Sequence, residues 1–129
     1  IIELKDIAFI NLQYGSTLDE IDNFYSKTKL KIFNIDDVDL YNDFESIAAL
    51  LKNLDLFVSV SNTTAHLSGA LDVPTWIIKP KNHAVFHYWN QPSNTTPWYS
   101  SIKLYPYENE WIETIDCIKK DIISKFKLK

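Results

Sequence analysis

Between Asp55 and Pro80 the chain reads DLFVSVSNTTAHLSGALDVPTWIIKP: an apolar β-rich run, a hydroxyl-rich turn, a segment at helical spacing and a second apolar β-rich run, all within 26 residues. Two strands with a helix between them cannot close as a hairpin, so they must pair in parallel through a right-handed crossover. This unit alone points to an α/β fold with helices covering the faces of a parallel sheet.

The same alternation extends to both sides. Ile7 to Leu12 reads as a strand that breaks at Gln13-Tyr14-Gly15-Ser16. Thr17 and Glu20 have capping-box spacing ahead of a helix bearing Leu18, Ile21, Phe24 and Tyr25. Leu30 to Ile35 is a second strand, followed by the acidic turn Asp36-Asp37-Val38-Asp39. Next comes a helix capped from Asn42 and Glu45, with Phe44, Ile47, Ala48, Leu51 and Leu54 on its buried face. Leu56 to Val60 is the third strand, Thr63 to Leu71 a helix stopped by Asp72-Val73-Pro74, and Thr75 to Ile78 the fourth strand. Lys79 to Ser101 shows no period and contains Pro80, Pro92 and Pro97, which predicts a long loop of the kind that belongs to a site. Ile102 to Tyr105 is a fifth strand, and Trp111, Ile115, Ile118, Ile122 and Phe126 mark one face of a last helix. The expectation is one domain over residues 1–129: a Rossmann-like parallel sheet of about five strands with helices on both faces.

Composition narrows the function. The 13 basic residues are all lysines and are outweighed by 17 acids, giving a net charge of −4. This is not the basic face of a nucleic-acid binder. Cys117 stands alone, so neither an intrachain disulfide nor a cysteine metal cluster can form, which fits a reducing cytoplasm. No apolar run reaches the roughly 20 residues of a membrane span, and the start carries no signal pattern, so a soluble chain is expected. Ile1-Ile2 at the start and the absence of Met predict a piece of something longer. The two sequons, Asn62-Thr63-Thr64 and Asn94-Thr95-Thr96, have meaning only in a secreted chain and carry no weight here.

In a parallel sheet, ligands bind where the carboxyl ends of the strands meet their loops. Ser61, Asn62, Thr63 and Thr64 lie there, where a strand hands over to a helix, and present hydroxyls and backbone N–H groups suited to a phosphate. The alternative is plain N-capping by Ser61 or Asn62. His66, four residues after Asn62, either donates to the same anion or packs against a backbone acceptor. Lys79 and Lys81 either add positive charge or are solvated. Asp37 and Asp39 form an Asp-x-Asp that reads better as a turn than as a metal site, and His83 and His87 lack an acidic third ligand. The aromatics of His87-Tyr88-Trp89-Asn90 and Pro97-Trp98-Tyr99 either stack on a base or sugar or pin the loop to the sheet. With only two glycines there is neither a G-x-G-x-x-G nor a G-x-x-x-x-G-K-[ST] loop, which removes dinucleotide redox and P-loop chemistry, and no nucleophile elbow occurs.

FINLQYG, SVSNTTAHLSGALDVPTWIIKP and PWYSSIKLY together resemble the C-terminal domain of bacterial GT-B glycosyltransferases, above all the heptosyltransferase-like domains that follow tetratricopeptide repeats. The resemblance runs from about Ile7 to the last helix. It implies that Ser61, Asn62, Thr63, Thr64 and His66, with Gln13 from the first strand tip, bind the diphosphate of a nucleotide sugar, the donor substrate, in a metal-independent transfer with no cofactor. Ser61 stands where such domains commonly have Asp. The resemblance also implies partners in the parent protein: an N-terminal Rossmann-like half, from which the acceptor and usually the general base come, or tetratricopeptide repeats. A single half is then expected to be inactive alone. A non-catalytic nucleotide-binding module and a protein-interaction domain are the alternatives.

Overall fold

The computed structural model describes residues 6–80, 87–89, 91–107 and 110–128. The elements run β1 (Phe9–Ile10), α1 (Leu18–Thr28), β2 (Ile32–Phe33), α2 (Phe44–Lys52), β3 (Phe57–Ser59), α3 (Thr63–Ala70), β4 (Thr75–Pro80), β5 (Ile102–Tyr107) and α4 (Trp111–Phe126). The fold is α/β, and among the described residues the strand pairs β1–β2, β3–β4 and β4–β5 are parallel.

The strands fall into two sheets, β1-β2 and β3-β4-β5, where one sheet of about five was expected. β1 and β2 are two residues long each. The Asn11 backbone still donates to the Phe33 carbonyl, but its side-chain amide bonds to Thr17 Oγ1 at 2.9 Å and Asn34 Oδ1 at 3.0 Å. The two sheets nonetheless share apolar layers: Ile7 packs with Trp76, Ile78, Tyr105, Ile118 and Ile122, and Leu12 packs with Ile47, Leu51, Phe57 and Val73.

Strand alternation sorts the central sheet. Trp76 and Ile78 face α4, whereas Ile77 on the other side joins Ala65, Trp89, Ile102 and Leu104 beneath α3. α3 can lie close because its inward residues, Ala65, Ser68 and Gly69, are small and fully buried. Across the opposite face Asp121 ties α4 to β5, accepting from both Lys103 and the Tyr105 hydroxyl at 2.5 Å. Burial, with Asp121 beside it, pushes the Tyr105 phenol well above its ordinary range.

Three local expectations are corrected. Thr17 does not cap α1 through its side chain, because that hydroxyl already accepts from Asn11. Asp43, not Asn42, caps α2, accepting from Ser46 N at 3.0 Å, while Asn42 is drawn to Asp39 through its backbone and amide. Trp111 lies outside the buried face of α4 and stacks on Tyr107 at the end of β5 with centroids 4.5 Å apart, while Thr114 is buried instead and donates to the Pro106 carbonyl. The Asp43 cap gives a measurable expectation: Asp43→Ala lowers the midpoint of urea denaturation.

Candidate functional site

β3 ends at Ser59, and after three intervening residues α3 begins at Thr63. Asn62 is extended, its side-chain oxygen accepting from Ala65 N at 2.8 Å while its amide donates to Ser59 Oγ at 3.0 Å. Asn62 is thus a helix cap, as Ser, Thr, Asp and Asn commonly are at this position. The cap satisfies one donor of the first turn and leaves others open. The backbone N–H groups of Thr63 and Thr64, and both hydroxyls, have no partner among the described residues. The first turn carries no acidic side chain, so nothing of this helix offsets its positive end.

Ser61 and His66 are held differently from Thr63 and Thr64. The Trp89 indole N–H donates to Ser61 Oγ at 2.9 Å, and Trp89 is wholly buried. The His66 ring lies 4.7 Å from that of Trp89 at 32° and 4.8 Å from that of Tyr88 at 82°, with its Nδ1 3.1 Å from the Tyr99 hydroxyl. Burial pushes the His66 pKa down, which favours the neutral imidazole. The aromatic segment therefore packs onto α3, with Trp89 inside the core. Trp98 remains exposed, next to His87 and Tyr88.

Lys79, at the end of β4, donates to the carbonyls of Trp89 at 3.0 Å and Gln91 at 2.9 Å. Burial lowers its pKa, and no carboxylate pairs with it among the described residues. It fastens the loop and brings a positive charge to that edge of the sheet. Gln13 is exposed at the tip of β1, its side chain without a hydrogen bond among the described residues. Gly15, next but one, takes a φ of 99°, which lets the tip turn, and Tyr14 packs at 4.9 Å on Tyr41 from the loop after β2.

The junction thus brings together Ser61, Asn62, Thr63, Thr64 and His66, and the loop joins Lys79 to them through Trp89. Asp39 is engaged in a turn, accepting from Tyr41 N, Asn42 N and the Asn42 amide, which together hold its carboxyl below the usual range. Lys81, His83 and Asn90 lie outside the described residues. Trp89 and Tyr99 are the residues whose roles the sequence left undecided. A retrospective signal exists: Ala65, Ser68 and Gly69, small residues at i, i+3 and i+4, make a seat for rings.

The chain is similar to Protein FlbA of Caulobacter vibrioides, at 28% identity over 109 residues that cover 84% of this chain and 17% of FlbA. It therefore spans less than a fifth of that relative's length. No protein-family profile matches the chain, and no solved structure does.

Proposed function

We propose that the chain is the donor-binding half of a GT-B glycosyltransferase, with the nucleotide-sugar diphosphate seated at the first turn of α3. The observation that carries this reading is the pair of unpartnered N–H groups at Thr63 and Thr64, beside two open hydroxyls and a helix end with no acid to offset it. Donors fixed in place before the ligand arrives stabilise the charge that grows on a leaving diphosphate without any reorganisation. His66 adds a third donor and Lys79 a positive charge. The shared packing of Ile7 and Leu12 supports a single Rossmann-like sheet in the order β2-β1-β3-β4-β5, which puts Gln13 on the same rim as α3.

In this reading Asn62 shapes the helix end and Ser61 anchors Trp89, so neither needs to touch the phosphates. The serine in place of the family's Asp leaves the hydroxyl and amide donors of the turn intact. Transfer is metal-independent and takes place in the cytoplasm, in a cleft completed by a second half of the parent protein.

Calorimetric titration with UDP, ADP and GDP tests the reading: at least one binds, and Thr64→Ala weakens it about tenfold. Thr63→Pro is more selective. Proline is well suited to the first helical position, and the extended Asn62 before it is compatible, so the fold survives while an N–H and a hydroxyl are lost. Binding is then expected to weaken by more than about tenfold, since hydrogen bonds to charged groups are worth about 1.5–3 kcal/mol. If no nucleoside diphosphate binds, the proposal fails. Sugar transfer by the full-length parent separates an enzyme from a binding module.

A further inference from the structure

We infer that Tyr99 is a positioning residue that fixes His66 as the tautomer protonated on Nε2, so that the histidine presents an N–H to an oxyanion rather than a lone pair. The inference rests on the diphosphate site proposed above and specifies how one of its groups is prepared.

The bond between His66 Nδ1 and the Tyr99 hydroxyl spans 3.1 Å and has two possible directions. A phenol is the stronger donor of the two groups, and Tyr99 Oη has no other partner among the described residues to which its proton could go. Donation from tyrosine makes Nδ1 the acceptor. The proton of the neutral ring then sits on Nε2, which has no partner among the described residues.

Both groups are held so that this choice persists. The Tyr99 ring lies where a Cβ on Gly69 would fall, 2.5 Å from its Cγ, so the loop is seated on the backbone of α3. The imidazole also lies against Trp89, whose indole is fixed by Ser61. Turning the imidazole over breaks its bond to Tyr99. The depressed pKa of His66 agrees with a neutral ring.

A long-range nitrogen–proton spectrum of the chain tests this, with His66→Gln used to assign the ring. We expect a single form with the proton on Nε2, and a proton on Nδ1 overturns the inference. Tyr99→Phe keeps the ring against Gly69 and removes only the hydroxyl. Its expected result is a mixture of tautomers, unchanged cooperative unfolding and about fivefold weaker binding of whichever of ADP, UDP or GDP the wild type takes up. If Tyr99→Phe binds as well as wild type, or keeps the tautomer pure, the positioning role is refuted while the diphosphate site stands. If the wild type binds none of the three, the diphosphate site falls and with it the role of the tautomer in binding.

Discussion

Trp89→Ala is expected to destabilise the chain by about 3–5 kcal/mol, the range for removing a fully buried large aromatic side chain. No part of Trp89 is exposed, and it packs with Ala65, Ile77, Ile102 and Leu104, so its loss opens a cavity between α3 and the sheet. Two further effects act in the same direction: Ser61 Oγ loses its donor and His66 loses the ring it lies against. The carbonyls that Lys79 holds belong to Trp89 and Gln91, so the loop loosens at its anchor as well. Urea denaturation followed by circular dichroism reads the stability change. Trp98→Ala is the control. That indole is 56% exposed, and its removal is expected to change stability by no more than about 0.5 kcal/mol. Equal effects of the two substitutions would mean that the aromatic segment does not pack as described.

Gly69→Ala should cost about 1–3 kcal/mol even though alanine is the better helix former. An added Cβ meets Tyr99 Cγ at 2.5 Å, Tyr99 Cδ1 at 2.7 Å and Ile102 Cδ1 at 2.9 Å. Cγ is the root of a ring rather than the far end of a flexible side chain, so either the loop or the helix must move. Intrinsic propensity favours the substitution by about 1 kcal/mol, which makes a net loss diagnostic of contact with the loop. Because Tyr99 carries the hydroxyl bonded to His66, the same substitution should also weaken binding of a nucleoside diphosphate. Thermal unfolding and calorimetric titration of the one variant measure both effects. A net gain in stability would show that Tyr99 does not rest on α3.

The sequence made the alternation of elements legible because the period changes from two to 3.6 within a few residues, most clearly from Leu56 through Ile78. Helices α2 and α4 were legible for the same reason, with Ile47, Leu51, Ile118 and Ile122 buried as their spacing requires. What stayed hidden depends on competition or distance. Asp43 and Asn42 are both good caps, and the choice fell to Asp43 because Asp39 engages Asn42. The Asn11 amide likewise finds its partners at a distance, in Thr17 and Asn34, 6 and 23 residues along the chain. In the site, Asn62, Thr63 and Thr64 could be placed from their position after a strand. The partners of Ser61 and His66 could not, because Trp89 and Tyr99 lie 28 and 33 residues away along the chain. The Lys103–Asp121–Tyr105 cluster is hidden in the same way, joining residues 16 and 18 apart.

In the function proposed above, the open donors at the start of α3 receive a diphosphate. Backbone amide spectra of the chain, recorded while ADP, UDP or GDP is added, test it most directly. The largest shifts are expected at Thr63 and Thr64, with smaller ones at His66, and they saturate. Saturable binding that leaves those two amides unmoved, or no binding of any of the three, would contradict it.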